Sequence, residues 1–501
     1  MPGKTGVRFI PRNSGTLVIP KKYSLIPRKN IIFVSGNADG RREKPSGRPE
    51  IFTAKIKSLN MKLKSLNILP LFLAAVLTAI TVLTASGPRA GRGTQDCRGT
   101  QDCRGTQTCR GTQVCQGTRN ERLDSIRMNR GGICPEKRPE IRGVWVSTVK
   151  ELDWPQGRYD EQGQKELFRQ YLDVFERLNI NAVFFQVRPL ADAFYDSGIE
   201  PWSAMITSEQ GRDPGYDVLQ FLIDETHARG MQFHAWMNPY RIARRDSVGE
   251  TYPPLDPGIP QELTREYALC RIYNPALPQV RERIALIIRD LVSRYDVDGV
   301  HFDDYFYPAL QKGEVMGDEE DYKTWREDEG SIEEFRRHNV ERMVTLAHDA
   351  VKETDPSVIF SISPSGNYDY CYNSMYFDIE DICRKGLIDM IIPQLYWSTA
   401  ARTDYFTPRL DWFSKHTADV PMLIGYGIYR FGTRDRGFET ADDFLREYAL
   451  ASGCDKVRGG ILFRADDLLQ NRAGITDSIA TAWREPVRLP EILAAEESIS
   501  D

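Results

Sequence analysis

Residues 298–305, Asp298-Gly299-Val300-His301-Phe302-Asp303-Asp304-Tyr305, predict a buried strand that ends in two adjacent carboxylates. By the two-residue period of a strand, Val300 and Phe302 point to one face and Asp303 points to the other. Carboxylates are rarely placed at the end of a buried strand for stability, because an unpaired charge is costly to desolvate. In barrel enzymes, however, the carboxyl ends of the strands carry the catalytic groups. The stretch therefore predicts an active-site strand with Asp303 on its inward face.

Seven further strands are predicted around this one, with helical patterns between them. The eight predicted strands are Gly143–Thr148, Ala182–Arg188, Gln232–Asn238, Gly299–Asp304, Val358–Ser363, Met390–Tyr396, Met422–Gly427 and Gly460–Phe463. The helical patterns include Gln164–Leu178, Tyr216–Arg229, Pro278–Tyr295, Ile332–Lys352 and Ala441–Ala451. This alternation predicts an α/β fold, a (β/α)8 TIM barrel over residues 139–485, followed by a tail at 486–501. A doubly wound open sheet is the weaker alternative, because no glycine-rich phosphate loop follows an early strand.

The chain before the barrel has a different character. Residues 1–60 are basic and lack periodicity, and we interpret them as a non-native or disordered extension, with a basic cytoplasmic tail as the alternative. Residues 61–87 predict a secretory signal peptide, with a positive start at Met61-Lys62-Leu63-Lys64 and an apolar run from Ile68 to Leu83. A membrane span needs about 20 apolar residues, so the shorter run makes an uncleaved anchor the alternative. We therefore expect a secreted or periplasmic protein.

Residues 88–138 predict a low-complexity linker. A six-residue repeat, Cys-Arg-Gly-Thr-Gln-Asp at its first occurrence, gives regularly spaced cysteines at Cys97, Cys103, Cys109 and Cys115. Metal binding is the alternative, but zinc sites use closer spacings of about two to four residues. Glycine and threonine supply no core, and the repeat is therefore more typical of a disordered linker.

The overall composition is that of an ordinary globular protein. Of the 501 residues, 41% are hydrophobic and 27% are charged, and the net charge is -5. This charge is too mild to indicate nucleic-acid binding, and the main body has no basic patch with interleaved aromatic residues. We expect no nucleic-acid partner, and membrane contact only through residues 61–87 if that segment is uncleaved.

Polar side chains converge at the mouth of the predicted barrel. Those on inward faces or strand ends are Gln186, Arg188, Asn238, Asp303, Asp304, Ser363, Gln394 and Tyr396. Amide, guanidinium and carboxylate groups bind sugar hydroxyls, and aromatic rings pack on sugar C–H surfaces, so the set predicts a polysaccharide substrate. Its predicted substrate-binding residues are Gln186, Arg188, Asn238, Tyr240, Arg241, Tyr305, Gln394, Tyr396 and Trp397.

Glycoside cleavage needs two carboxyl groups that flank the bond. We predict Asp303 as the acid/base or nucleophile, with Asp304 tuning its pKa by like-charge repulsion or anchoring a sugar hydroxyl. The alternative is that both carboxylates pair with Arg188 or Arg241 as scaffold. The second flanking carboxyl group remains open among Glu151, Asp153, Asp192 and Asp369.

Other hydrolytic chemistries have weaker support. No Gly-x-Ser-x-Gly elbow lies between a strand and a helix, which argues against serine hydrolysis. His234 and His301 fall on predicted strands, deep in the barrel, and a hydrogen-bonded interior role is favoured over a metal site. We therefore expect neither a metal nor a cofactor.

Five sequence blocks together resemble the glycosyl hydrolase-like 10 family over roughly residues 139–485. They are Ile141-Arg142-Gly143-Val144-Trp145-Val146, Phe185-Gln186-Val187-Arg188-Pro189, Trp236-Met237-Asn238-Pro239-Tyr240-Arg241, residues 298–305 and Pro393-Gln394-Leu395-Tyr396-Trp397. The resemblance implies a (β/α)8 barrel in an exported bacterial protein that acts on glycan, with peptidoglycan strands stripped of peptides as the best-known substrate. It also implies functional roles for Asp303 and Asp304.

The strand departs from the pattern of chitinase-like barrels, Asp-Gly-x-Asp-x-Asp-x-Glu. His301 replaces the middle Asp and Tyr305 replaces the final Glu, which is the acid in those proteins. Their substrate-assisted mechanism therefore does not transfer to this chain. Because no second carboxyl group stands out, a glycan-binding barrel without turnover is the alternative to an enzyme.

Overall fold

The computed structural model describes residues 138–490. The predicted extension at 1–60, the signal peptide at 61–87 and the linker up to residue 137 lie outside the described residues, as does the tail from residue 491.

Eight parallel strands close into a barrel, which confirms the predicted fold. The strands of the described chain are β1 (Ile141–Val146), β2 (Ala182–Arg188), β3 (Gln232–Met237), β4 (Arg241–Arg244), β5 (Thr264–Glu266), β6 (Cys270–Tyr273), β7 (Gly299–Phe302), β8 (Ile359–Ile362), β9 (Met390–Ile391), β10 (Met422–Tyr426) and β11 (Val457–Phe463). The barrel strands pair in chain order, and β11 closes onto β1. Strands β4, β5 and β6 form a separate antiparallel sheet inserted after β3, which the sequence did not predict.

Helices lie between the barrel strands, as the alternation predicts. They are α1 (Glu161–Arg177), α2 (Ala204–Thr207), α3 (Val218–His227), α4 (Pro278–Arg294), α5 (Glu319–Trp325), α6 (Ile332–Thr354), α7 (Tyr368–Asn373), α8 (Ile379–Arg384), α9 (Phe406–His416), α10 (Asp442–Ser452), α11 (Ala465–Gln470) and α12 (Ile475–Ala482). The longest, α6, begins where the Ser331 hydroxyl accepts a hydrogen bond from the Glu334 backbone N–H at 3.2 Å. Within residues 138–490, no helix is long and apolar enough to cross a membrane.

Side chains alternate between two cores, as the period of a strand requires. On β2, Phe185 packs in the outer core between sheet and helices, whereas Phe184 packs in the barrel interior. On β3, Phe233 faces outward and Trp236 faces inward in the same way. The inward positions therefore reach the carboxyl-terminal mouth of the barrel, where the predicted site lies.

The strand that carries the carboxylates depends on a glycine. A Cβ atom added to Gly299 would lie 2.1 Å from His234 Nδ1, whose ring stacks on Phe184 with centroids 4.2 Å apart. Any larger residue at position 299 would displace that ring. Gly299 thus lets β7 pack directly beside β3, which brings Asp303 close to the end of β3.

Strand β9 is shorter than predicted. The sequence predicts a strand over Met390–Tyr396, but continuous pairing covers only Met390–Ile391. Pro393 has no N–H to donate to a ladder, which breaks the pairing. Gln394 then regains isolated bridges to Ser365 and Gly425, so the chain still reaches the mouth beside its neighbours.

Candidate active site

Asp303 lies at the end of β7, where its carboxyl group is buried and held by side chains from β3. Asn238 Nδ2 donates to Oδ1 at 2.7 Å, and Trp236 Nε1 donates to Oδ2 at 3.2 Å. Burial raises the pKa of Asp303, while the charge of Arg241 and these two hydrogen bonds oppose the rise. The two donors fix the orientation of the Asp303 carboxyl group and partly oppose the effect of burial on its pKa.

Asn238 is itself fixed from both sides. The side-chain Oδ1 of Asn238 accepts a hydrogen bond from the Arg241 backbone N–H at 2.7 Å. The backbone N–H of Asn238 donates to the Arg188 carbonyl at 2.9 Å. Arg188 Nη1 in turn donates to the Asn238 carbonyl. The side-chain amide therefore presents its N–H to Asp303 in a single orientation.

Arg188 is fully buried and forms a bidentate ion pair with Glu200. Nε and Nη2 each lie 2.6 Å from a Glu200 carboxylate oxygen, and Nη1 also approaches the Pro239 carbonyl at 3.3 Å. These bonds make Arg188 a scaffold residue that ties the end of β2 to the end of β3. Contact between Arg188 and substrate stays a prediction. The structure adds that Arg188 positions Asn238.

Asp304 differs from Asp303 in exposure, since its side chain is only half-buried. Burial and the neighbouring charge of Asp303 raise the pKa of Asp304 to about 7. Arg241 and a hydrogen bond from the Gln394 amide oppose this rise. Asp304 can therefore carry a proton at neutral pH while it faces solvent.

Arg241 and Tyr305 stack beside the two carboxylates. The Arg241 guanidinium carbon lies 4.2 Å from the centroid of the Tyr305 ring, which is 41% exposed. Arg188 forms its ion pair with Glu200 and is therefore not the scaffold partner of these carboxylates, whereas the charge of Arg241 acts on both.

His301 lies below Asp303 in the barrel interior. Trp145 Nε1 donates to His301 Nε2 at 3.1 Å, and because indole only donates, the imidazole proton is on Nδ1 and bonds Ser361 Oγ at 2.8 Å. Burial lowers the pKa of His301 well below its usual value, so the ring is neutral. Both of its nitrogens have partners within the protein.

Three potential metal ligands meet at the start of α6. Asp328, Glu329 and His338 bring ligand atoms within 4.8 Å of one another. Glu329 already accepts from Arg342 at 2.8 Å, and its pKa is lowered to about 2 by hydrogen bonds that outweigh its burial. This ion pair accounts for the cluster.

The remaining predicted binding residues occupy different environments. Gln186 is buried, and its Oε1 accepts from the backbone N–H groups of Thr148 and Val149 at 3.1 and 2.9 Å. Tyr240 is fully buried in the outer core, so its side chain has no surface at the mouth. The Trp397 ring lies beneath the Arg409 guanidinium, 4.2 Å from its carbon. Substrate contact by these three stays a prediction.

Gln394 and Tyr396 do reach Asp304. Gln394 Nε2 donates to the Ser363 carbonyl at 3.1 Å as well as bonding Asp304. Tyr396 is half-buried, and burial, followed by Tyr429 and then Asp304, raises its pKa. The structure thus brings together Asn238, Arg241, Asp303, Asp304, Tyr305, Gln394 and Tyr396 out of the predicted set.

Among the open candidates for a second carboxyl group, Glu151 and Asp153 are engaged elsewhere, Asp369 is exposed, and Asp192 is buried with no hydrogen-bond partner for its Oδ1. Asp153 is fully buried and accepts from Arg464 at 2.6 Å and from the Ser147 N–H at 2.7 Å, although burial raises its pKa to about 6. Glu151 accepts from Tyr159 at 2.7 Å. Asp192 is buried near Glu200, and its pKa is likewise raised to about 6, chiefly by burial. Asp369 is exposed on α7.

Three contributors to the site were not among the predicted binding residues. Trp236 faces inward by parity, but the sequence alone made it a core residue rather than a donor to Asp303. Glu200 follows β2 in a loop and carries no motif. Tyr370 on α7 is close enough to Asp304 for that carboxyl group to raise its pKa, after burial. Parity would identify Trp236, whereas loop residues have no such pattern.

Comparisons with known proteins show which family and which relatives this chain resembles. A family model described as glycosyl hydrolase-like 10 matches residues 140–436. The chain is similar to Glycosyl hydrolase YngK of Bacillus subtilis, at 33% identity over 378 residues that cover 70% of this chain and 74% of that protein. It is also similar to Glycosyl hydrolase DigH of Escherichia coli K12, at 32% identity over 372 residues that cover 66% and 83%. The solved structure of the PgaB (BpsB) glycoside hydrolase domain from Bordetella bronchiseptica aligns at 12% identity with a TM-score of 0.43, covering 70% of this chain and 99% of that chain.

Proposed function

Because this chain belongs to the glycosyl hydrolase-like 10 family, we propose that it is an exported enzyme that cleaves the glycan strands of peptidoglycan. The chain is a glycoside hydrolase, and a glycan is its substrate class. Peptidoglycan is proposed because the motif blocks resemble a family whose best-known substrate is glycan stripped of peptides. Export is proposed from the apolar segment at 61–87.

The placement of Asp304 at the mouth, half-buried and beside the Asp303 carboxyl group, carries the mechanism. Burial and this neighbouring charge raise its pKa to about 7, and a carboxyl group with such a pKa can donate a proton near neutral pH. We assign Asp304 as the general acid that protonates the glycosidic oxygen. This exchanges the roles suggested by strand parity alone, under which Asp303 did the direct chemistry.

Asp303 then acts as the charged partner. Its two oxygens are oriented by Asn238 and Trp236, and its negative charge faces the position where an oxocarbenium-like transition state develops positive charge. The same charge keeps Asp304 protonated until the sugar arrives. Once Asp304 has protonated the glycosidic oxygen and the leaving sugar departs as an alcohol, a water molecule adds to the anomeric carbon and gives its proton to the Asp304 carboxylate, which restores the acid. The adjacent pair thus supplies both the proton transfers and the electrostatic stabilisation.

Product release from defined glycans tests the proposal. Purified wild type, Asp303→Asn and Asp304→Asn are incubated with peptide-free peptidoglycan strands, intact peptidoglycan and chitohexaose, and released fragments are separated by chromatography. We expect cleavage of the peptide-free strands by wild type, and rates reduced by about 100-fold or more in each variant, the usual contribution of acid/base catalysis.

The same assay distinguishes hydrolysis from the alternative of a glycan-binding barrel without turnover. Asp153 and Glu151 are engaged with scaffold donors, so Asp303 is the carboxyl group assigned beside the acid. Wild type that sediments with glycan strands but releases no fragment from any of the three substrates would establish the glycan-binding alternative and refute the hydrolase.

A further inference from the structure

Three aromatic rings meet at the mouth of the barrel, on the side opposite the carboxylates. Tyr396 follows β9, Tyr429 follows β10 and Phe463 ends β11. The Tyr396 and Phe463 rings stack with centroids 5.8 Å apart, and Tyr429 stands edge-on to both, at 6.0 Å from Tyr396 and 5.8 Å from Phe463. We call these three residues the aromatic floor.

The floor differs from the rest of the barrel interior in exposure. Tyr396 and Phe463 pack on the interior core, whose members, such as Trp145 and Ile461, are all buried. The three floor residues themselves are only half-buried. They therefore form the layer of interior side chains nearest the mouth, and part of their surface is accessible there.

Contacts from outside fix the floor in place. Arg430 Nη1 donates to the Tyr396 carbonyl, and Arg472 Nη2 donates to the Tyr429 carbonyl at 3.1 Å. Gly427 makes room for the Tyr396 ring, since a Cβ atom there would lie 3.0 Å from the tyrosine Cβ and Cγ. Such preorganisation lowers the entropic cost of ligand binding.

The floor lies across the mouth from the catalytic pair. In the barrel, β7 is four strands away from β11, so the strand ends that carry Asp303 and Phe463 lie on opposite sides of the mouth. The charge of Asp304 nevertheless acts on Tyr396 and raises its pKa. Gln394, two residues before Tyr396, forms a hydrogen bond with Asp304. The exposed Tyr305 ring bounds the carboxylate side.

We propose that the aromatic floor is a sugar subsite that holds the C–H face of the pyranose ring whose glycosidic oxygen meets Asp304. A pyranose with equatorial substituents offers an apolar face that matches a half-buried ring, while its hydroxyls meet Gln394 and the carboxylates. Tyr429 and Phe463 are then substrate-contacting residues that determine which sugar is accepted. This inference rests on the proposed glycan-cleaving function.

Binding measured without turnover tests the subsite. The parent is the full chain carrying Asp304→Asn, and the probes are chitohexaose by calorimetry and peptide-free peptidoglycan strands by sedimentation. We expect Tyr429→Ala and Phe463→Leu to bind about tenfold more weakly, which corresponds to ~1.4 kcal/mol. Tyr429→Phe keeps the ring and should restore most of the binding that Tyr429→Ala loses. Tyr405→Ala removes a 41% exposed tyrosine outside the floor and should also leave binding unchanged.

The outcomes separate this proposal from the hydrolase proposal. Folded Tyr429→Ala and Phe463→Leu proteins that bind both probes like the parent would overturn the subsite, even if wild type cleaves glycan. A parent that binds neither probe would overturn it as well. Conversely, wild type without activity together with weakened binding in the floor variants would refute hydrolysis and leave the subsite standing. Thermal unfolding of each variant confirms that it is folded. Tyr429 lies in a short 3-10 helix, Ile428–Arg430, outside the barrel strands and is the less demanding site to truncate.

Discussion

Asp303 and Asp304 are neighbours in sequence but differ in what surrounds their carboxyl groups. Asp303 is 3% exposed and accepts hydrogen bonds from Trp236 and Asn238. Asp304 is half-buried beside that charge. The strand period predicted that Asp303 lies on the inward face. The protonation of its carboxyl group, however, depends on the hydrogen-bond donors Trp236 and Asn238, at the end of β3. Those donors are 65 or more positions away in the chain, so the assignment of roles required the fold.

The acid role of Asp304 predicts how activity depends on pH. Its pKa, raised to about 7, means that the proton it must donate is lost as pH rises through that value. We therefore expect kcat/KM on peptide-free glycan strands to fall above about pH 7, and this alkaline limb to be absent from the residual activity of Asp304→Asn. A pH profile from 4 to 9 with a pH-independent substrate label measures both.

Stability gives an independent check on the same residue. In the unfolded chain Asp304 ionises near its usual pKa of 3.8, whereas in the folded chain it keeps its proton up to about pH 7. Stability contributed by the raised pKa is thus present at low pH and is lost as pH rises between these values. The difference in melting temperature between Asp304→Asn and wild type should therefore shift in favour of the variant as the pH rises from 5 to 8. A constant difference would contradict the raised pKa.

At the scale of elements, the ends of β2 and β3 are joined by one buried ion pair. Arg188 bonds Glu200 through two nitrogens and the Asn238 carbonyl through a third. The sequence placed Arg188 at a strand end, and Ala182–Arg188 was predicted to the residue. Its partner lies in an irregular loop, where no period marks a residue for burial. The ion pair could therefore not be predicted from the sequence, and Arg188 was predicted to bind substrate instead.

Glu200→Gln tests this connection. Removing one charge of a buried pair leaves the other uncompensated, so we expect the free energy of unfolding to fall by on the order of 3 kcal/mol. Catalysis should fall too, because Arg188 positions Asn238 and Asn238 orients Asp303. Urea denaturation measures the free energy of unfolding, and initial rates measure catalysis.

The matched control is Glu353→Gln, which breaks the exposed pair with Arg289 and should change stability by less than about 1 kcal/mol. Equal effects of the two substitutions would contradict the scaffold role.

At the scale of the whole molecule, the alternation of eight apolar runs with helices was enough to predict a closed barrel. Sequential parallel strands with helices between them place every carboxyl end at one mouth, and residues from β3, β7 and the segment after β9 meet there. The antiparallel sheet of β4, β5 and β6 was not predicted, because its short strands are interrupted by charged residues, as in Arg241–Arg244 and Thr264–Glu266. They therefore lack the apolar runs that mark the barrel strands.

The proposed export of the whole chain leads to the last prediction. The positive start at Met61-Lys62-Leu63-Lys64 and the apolar run from Ile68 predict cleavage after the small residues Ala85-Ser86-Gly87. Expressed in a bacterium with a C-terminal tag, the protein should leave the cytoplasm, and N-terminal sequencing should find a mature chain that starts just after this segment. Replacing Leu71 and Leu73 by Arg interrupts the apolar run and should keep the full-length precursor in the cytoplasm, with the barrel still folded. A cytoplasmic wild type that retains residues 61–87 would refute export, and a membrane-bound, uncleaved chain would favour the anchor.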